Sequence, residues 1–241
     1  MKISIILPAY NEEKLLPSTL KAVMLARAAF ERRAWESEVI VCDNHSTDRT
    51  GDIAREAGAT VVYEPINQIG RARNTGASVA TGDWLIFVDA DSQPSAALFD
   101  AVAERIVSGK ILAGGALLEL DHSTPALRFL TFLWHCWSRC QKNMAGSFIF
   151  CETAAFRHIG GFNNEFFAGE ELELSKQLKR LARQRGQRLE IISKPRLLTS
   201  ARKARLYSAL EMGRFMVRAA LRPKRVLGNR EACSIWYDGR R

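Results

Sequence analysis

The chain is long and apolar enough for one large domain with a short extension: it has 241 residues, 47% of them hydrophobic and 25% charged. Its formal net charge of +9 indicates an anionic partner, such as nucleic acid, a phosphorylated substrate or an acidic membrane face. The five cysteines include no CxxC pair, which argues against a zinc site or a disulfide framework and favours free thiols in the cytoplasm. The sequence contains no run of about 18 apolar residues, so no transmembrane helix is predicted.

Strands and helices are predicted to alternate through the first ninety residues. Short apolar runs predict strands over Ile3–Leu7, Glu38–Cys42, Thr60–Tyr63 and Trp84–Val88. Between them, helices are predicted over residues 12–33, 48–57 and 71–80. This alternation is typical of an α/β fold in which a mostly parallel sheet is flanked by helices.

The second half of the chain is less regular. It predicts strands over residues 113–120, 147–151 and 188–192 and helices over residues 125–139 and 170–185. In the first of these helices we expect Phe129, Leu130 and Leu133 to pack on the sheet. For Trp134 and Trp137, both packing on the sheet and a role in binding the acceptor remain open. From Arg202 to about residue 221 a basic helix is predicted, which either lies on anionic lipid or packs on the domain.

Two aspartates follow the fourth predicted strand, in the stretch LIFVDADSQP. Asp89 and Asp91 are two residues apart, so on an extended chain both side chains point the same way. Mg²⁺ or Mn²⁺ together with a diphosphate would explain this pair, because such ions take one or two carboxylates and complete their shell with phosphate and water. The alternative is an ordinary strand end followed by a capping aspartate and a turn.

Four segments, in this order, resemble those of family 2 glycosyltransferases. They are SIILPAYNEEKLL, EVIVCDNHSTDRT, NQIGRARNTGASVATGDWLIFVDAD and GGFNNEFFAGEELEL, and they cover most of residues 1–175. The resemblance implies a nucleotide-sugar-binding GT-A fold and an inverting, metal-dependent transfer from a nucleoside diphosphate sugar, with a UDP-sugar as the first candidate. A Gln-x-x-Arg-Trp motif typical of processive members has no convincing match, which favours single addition.

The resemblance also implies roles for individual residues. The residues expected around the base, ribose and phosphates are Pro8, Ala9, Tyr10, Glu12, Asp43, Arg73 and Asp89. Asp43 is expected to accept a hydrogen bond from the base, and Asp89 and Asp91 to hold the metal. The catalytic base is expected at Glu171 or Glu170, in the place where the family usually has Glu-Asp. From its position in SARKAR, Arg202 is a further candidate for contact with the donor diphosphate.

The predicted organisation is a GT-A domain over residues 1–200 and a basic helical extension over residues 201–241. Within the domain, residues 1–110 are expected to bind the nucleotide and residues 111–200 the acceptor. The expected partners are a nucleotide-sugar donor, a hydroxyl acceptor that is lipid-linked or part of a cell-envelope glycan, and an anionic membrane surface at the inner face of the membrane, but no nucleic acid. Two alternatives remain: an inactive nucleotide-binding scaffold and a sugar nucleotidyltransferase.

Overall fold

The computed structural model describes residues 1–202, 206, 211, 214, 218, 222–233 and 237. Within these residues, eight strands form one sheet in the order β3-β2-β1-β4-β7-β6-β8-β5. The strands are β1 (Lys2–Ala9), β2 (Glu36–Asp43), β3 (Thr60–Tyr63), β4 (Trp84–Val88), β5 (Ser92–Gln93), β6 (Ile111–Leu120), β7 (Phe148–Glu152) and β8 (Arg188–Thr199).

The sheet is parallel through its first half and mixed beyond it. The strands β1 to β4 pair in parallel, as the alternation of strands and helices predicts. The strand β7 runs antiparallel to both β4 and β6, whereas β6 and β8 pair in parallel. The carboxyl ends of β1, β2 and β4 therefore meet at one edge, where ligands of such sheets are expected.

Helices cover both faces of the sheet. They are α1 (Leu16–Ala26), α2 (Ala28–Glu31), α3 (Thr50–Glu56), α4 (Ile69–Val79), α5 (Ala96–Val107), α6 (Pro125–Gln141), α7 (Thr153–His158), α8 (Glu170–Gln184) and α9 (Pro223–Leu227). One core lies between the sheet and α1, α2, α3 and α5, and the second lies between the sheet and α4, α7 and α8. Successive residues of β1 alternate between them: Ile5 and Leu7 belong to the first core and Ile6 to the second.

Several predicted boundaries are wrong, and some elements were not predicted. The helix expected over residues 12–33 begins only at Leu16, because Pro17 suits a first helical turn and the chain turns at Glu12, whose carbonyl accepts the Leu15 N–H at 3.1 Å. The helix α5 and the short strand β5 were not predicted. The strand β8 continues past Ile192 to Thr199, which carries the chain to the edge where β4 ends.

The prediction for the aromatic helix is also wrong. Phe129, Leu130 and Leu133 are exposed rather than packed on the sheet, whereas His135 and Ser138 are buried. The apolar residues of α6 occupy more than one side of the helix, so periodicity alone did not identify the buried side. The polar contacts that fix this orientation are described below.

The C-terminal segment returns to the domain. The Phe167 N–H donates to the Leu227 carbonyl at 2.6 Å, and Cys233 is buried with Ala168. Most of the basic helix predicted over residues 202–221 lies outside the described residues, which include only Arg202, Leu206, Glu211, Arg214 and Arg218 of it. Across the described part of the chain, no helix combines the length and apolar character needed to cross a membrane.

Candidate active site

A cleft opens at the carboxyl ends of β1, β2 and β4. Its lining consists of Pro8, Ala9, Tyr10, Glu12, Asn44, Asn67, Ile69, Asp89, Ala90, Asp91 and Tyr237. Six of the residues predicted from the sequence are therefore brought together: Pro8, Ala9, Tyr10, Glu12, Asp89 and Asp91. They come from the ends of two neighbouring parallel strands, which explains why distant sequence segments meet here.

A tight turn presents Asp89 and Asp91 to the cleft. The Asp89 N–H donates to the Ser147 carbonyl at 3.2 Å, and the Ser92 N–H donates back to the Asp89 carbonyl at 3.0 Å. The buried hydroxyl of Thr19 donates to the carbonyl of Ala90 at 2.8 Å. With its backbone held on both sides, the turn keeps the two carboxylates partly exposed, at 22% for Asp89 and 15% for Asp91.

Arg73 lies behind Asp89 and is 1% exposed. Its guanidinium donates to Glu170 at 2.7 Å, to Asp89 at 2.9 Å and to the Gly146 carbonyl at 2.9 Å. Burial disfavours its charge, but Asp89, Glu170 and Glu171 outweigh burial and raise the pKa of Arg73 above its ordinary value. Both terminal nitrogens of Arg73 bond inside the protein, and the contact predicted between Arg73 and the nucleotide stays a prediction.

The two candidate bases lie in different environments. Glu170 is 3% exposed and accepts from Arg73, so its carboxylate is committed to an internal ion pair. Glu171 is half-buried in the same first turn of α8. Burial, followed by the neighbouring Glu170 charge, raises the pKa of Glu171 to about 8. A carboxylate with a raised pKa is suited to proton transfer, although neither Glu170 nor Glu171 is among the residues that line the cleft.

Arg202 reaches the cleft from the end of β8. It binds both oxygens of Glu12, at 2.9 and 2.6 Å, and lies 3.7 Å from a carboxylate oxygen of Asp91. The Ser200 N–H donates to the Asp91 carbonyl at 3.2 Å, which joins this segment to the aspartate turn. A guanidinium is thus held at the edge of the cleft, next to one of the predicted metal ligands.

Asp43 is not part of the cleft lining, although its neighbour Asn44 is. One Asp43 oxygen accepts from the Ser46 N–H at 2.9 Å, which closes the turn after β2. Asn44 accepts from the Gln68 N–H at 3.3 Å and donates to Asn67 at 3.4 Å. These two asparagines were missed, although both lie within or beside the segments that carry the resemblance. The contact predicted between Asp43 and the base stays a prediction.

Tyr237 closes one side of the cleft, and sequence reasoning missed it. Its hydroxyl donates to the Phe167 carbonyl at 2.8 Å, and its ring packs edge-on against Phe167 with centroids 5.7 Å apart. Burial, with a contribution from the Glu170 charge, raises the pKa of Tyr237. A lone tyrosine in a basic tail carries no motif, so the sequence offered no signal for this contact.

The carboxylates of Asp89 and Asp91 fit a divalent ion that takes some of its ligands from the protein and the others from a substrate. Asp89 uses one oxygen for Arg73 and keeps the other, and Asp91 faces the same cleft. Within the described residues no three His, Cys, Asp or Glu side chains converge to enclose an ion. Two carboxylates that leave the other positions to phosphate and water match the usual coordination of Mg²⁺ or Mn²⁺.

Removal of the Arg73 charge is expected to destabilise the whole fold. Arg73→Met leaves Glu170 buried without its partner, so the free energy of unfolding should fall by about 3–5 kcal/mol in urea denaturation. Arg71→Met is the matched control, because Arg71 lies on the same helix, is half-buried and donates through its side chain to Gln68 at 2.9 Å rather than to a buried carboxylate. A stability of Arg73→Met equal to that of the control would contradict the role assigned to this ion pair.

The chain is similar in sequence to known glycosyltransferases. The sequence model of "Glycosyl transferase family 2" matches residues 4–147. A 4,4'-diaponeurosporenoate glycosyltransferase of Staphylococcus haemolyticus is 42% identical over 96 residues, which are 37% of this chain and 24% of that protein. The glycosyltransferase EpsJ of Bacillus subtilis is 22% identical over 201 residues, 70% of this chain and 57% of that protein. The chain thus spans less than two thirds of either relative.

Two solved structures share the fold. S. aureus TarS in complex with UDP-GlcNAc has a TM-score of 0.65 and 19% identity, and the match covers 99% of this chain and 71% of that chain. The mannosyltransferase PcManGT of Pyrobaculum calidifontis, in complex with GDP-Man and Mn²⁺, has a TM-score of 0.67 and 18% identity, with 96% and 64% covered. Because the family model matches more than half of the chain, and the fold is that of these transferases, the chain belongs to glycosyltransferase family 2.

Proposed function

We propose that the chain is a metal-dependent, inverting glycosyltransferase that moves one sugar from a nucleoside diphosphate sugar to an acceptor hydroxyl. The observation that carries this proposal is the convergence of Asp89, Asp91 and Arg202 at one cleft, to which Arg73 joins Glu170, the neighbour of Glu171 in the first turn of α8. The fold shared with structures that hold UDP-GlcNAc and GDP-Man supports a nucleotide-sugar donor. A UDP-sugar remains the first candidate because Asp43 suits a uracil imide.

The leaving group is a nucleoside diphosphate, and its negative charge must be stabilised as the bond to the sugar breaks. Asp89 and Asp91 would hold Mg²⁺ or Mn²⁺, which supplies positive charge to the diphosphate when bound. Arg202 adds a planar guanidinium at the same edge, a group whose geometry suits phosphate oxygens. In the free protein this guanidinium is paired with Glu12, which keeps it in position.

The acceptor needs a base on the opposite side of the sugar. In an inverting transfer, the acceptor oxygen attacks the anomeric carbon, its proton passes to a carboxylate, and the electron pair of the broken bond stays on the diphosphate. We assign the base to Glu171, because Glu170 is committed to Arg73. Glu170 is then a positioning residue that fixes the first turn of α8 relative to Asp89. We further propose that the acceptor is lipid-linked or part of a cell-envelope glycan. The enzyme would add one sugar to it in each binding event.

The donor site is tested by calorimetry with UDP and GDP, each with and without Mn²⁺. We expect one nucleotide to bind only with the ion, and Asp91→Asn to weaken that binding about tenfold or more, because a metal contact is lost. Asp83→Asn is the control, since Asp83 lies at the other end of β4 and is exposed. A nucleotide affinity that is the same with and without Mn²⁺, and the same in Asp91→Asn as in the native chain, would overturn the donor-site assignment.

The role of Arg202 is tested by comparing the affinity for a nucleoside diphosphate with the affinity for the same nucleoside without phosphates. Arg202→Ala should weaken nucleoside diphosphate binding about tenfold but leave binding of the phosphate-free nucleoside unchanged, because only a charge-assisted contact to phosphate is lost. Arg196→Ala, on the exposed part of β8, should change neither. Unchanged diphosphate affinity in Arg202→Ala would remove Arg202 from the site.

The role of Glu171 is tested by turnover, measured as release of the nucleoside diphosphate from the donor that screening identifies. Glu171→Gln should lower kcat/KM by about 10²–10⁴-fold while donor binding is kept, because the amide cannot accept the proton. In the native chain kcat/KM should rise with pH through a limb near 8, since the protonated acid is inactive below it. Glu173→Gln, in the same turn and paired with Lys176, is the control. The assignment of Glu171 as the base would be excluded if kcat/KM instead rose with pH near an ordinary carboxylate pKa and Glu171→Gln kept the same pH dependence.

A further inference from the structure

The helix α6 carries its apolar side chains outward. Five large apolar residues are exposed: Phe129 at 60%, Leu130 at 59%, Phe132 at 59%, Leu133 at 47% and Trp137 at 41%. We call this set the apolar face of α6. Among the side chains of this helix that the structure describes, the buried ones are polar, namely His135 at 7% and Ser138 at 2%. A cluster of exposed large apolar side chains is typical of an interaction surface rather than of ordinary exterior.

Polar contacts hold the helix in this orientation. The Leu118 N–H donates to His135 Nε2 at 3.3 Å, and the Ser138 hydroxyl donates to the Asn143 carbonyl at 2.6 Å. Lys179 of α8 donates to the Gln141 carbonyl at 2.7 Å and to Asn143 Oδ1 at 2.6 Å. Rotating α6 to bury its apolar face would break these contacts, so the outward orientation is built into the fold.

The charged residues of α6 itself are all cations, as is Lys142 directly after it. The segment Pro125–Lys142 contains Arg128, Arg139 and Lys142 and no aspartate or glutamate, and all three cations are exposed. A second copy of the chain in a symmetric pairing would bring these cations together, which disfavours a dimer through this face. Exposed apolar and aromatic residues on a helix whose own charges are all positive match the interface of an anionic bilayer.

We propose that α6 is a membrane-docking helix that lies in the surface of an anionic lipid bilayer with its apolar face inserted. The helix has 17 residues and carries Arg128, His135 and Arg139 within it, so it suits the interface and not a span. Trp137, which packs against Trp134 with centroids 5.0 Å apart, supplies the amphipathic aromatic group that favours the interface.

The docked helix is connected to the candidate active site. Beyond α6 the chain reaches Met144, whose N–H donates to Ser175 of α8 at 3.1 Å, and Gly146, whose carbonyl accepts from Arg73 at 2.9 Å. A membrane held by α6 would therefore lie beside α8, the helix whose first turn carries Glu171. The bilayer would then supply the acceptor as a lipid-anchored hydroxyl; this last step rests on the proposed function, whereas the docking does not.

The test is flotation of the full chain with vesicles of phosphatidylcholine alone and of phosphatidylcholine mixed with phosphatidylglycerol. The native chain should bind the mixed vesicles, and Phe129→Ser/Phe132→Ser should bind about tenfold or more weakly, because two inserted rings are lost. Leu25→Ser/Val107→Ser is the matched control, since both residues are 67% exposed on other helices, and it should bind as the native chain does. Calorimetric donor binding should be unchanged in both variants, which separates failure of docking from failure of the donor site.

Depth of insertion gives a second readout that does not depend on affinity. Brominated lipid should quench the native tryptophan fluorescence, and Trp137→Phe should remove part of that quenching. Equal vesicle binding by the native chain and Phe129→Ser/Phe132→Ser would overturn the proposal and point to the basic tail instead. A native chain that binds no vesicles, or a native dimer that the same double variant converts to monomer, would also overturn it.

Discussion

The buried guanidinium of Arg73 is the interaction on which the site depends. It joins α4 to the end of β4 through Asp89, to the loop before β7 through Gly146 and to the start of α8 through Glu170. A buried charge is tolerated only when it is paired, and here each charge satisfies the other. The same contact therefore stabilises the fold and fixes the distance between the donor edge of the cleft and the turn that holds Glu171.

Arg73 and Arg202 differ in exposure, and they therefore act on the site in different ways. Arg73 is sealed among internal acceptors and acts on the site by holding acids in place. Arg202 is 14% exposed at the edge of the cleft and faces Glu12 and Asp91. An arginine beside carboxylates at a ligand cleft can exchange those partners for phosphate oxygens, whereas one enclosed by the fold cannot. Sequence reasoning placed both near the donor, because a motif gives the residue type and not its depth.

Much of the fold and half of the site follow from the sequence because local patterns determine them. Buried apolar runs ending in polar residues gave β1 to β4 nearly as they are, and with them the meeting of Tyr10, Asp89 and Asp91. The orientation of α6 did not follow, since tertiary polar contacts to Leu118 and Lys179 decide it. Tyr237 did not follow either, because its position depends on packing against Phe167, far from it in the chain.

Several residues of the candidate site come late in the sequence. The family model ends at residue 147, yet Glu170, Glu171, Arg202 and Tyr237 all follow it. The first turn of α8 is held between Arg73 on one side and the C-terminal segment on the other, where Leu227 packs against Gly169 and Cys233 is buried with Ala168. The C-terminal segment can therefore shift the first turn of α8, and with it Glu171, relative to the ends of β1 and β4. Under the proposed function, the C-terminal segment and α6 would then set the acceptor, and they are the two parts of the described chain whose packing the sequence pattern predicts least.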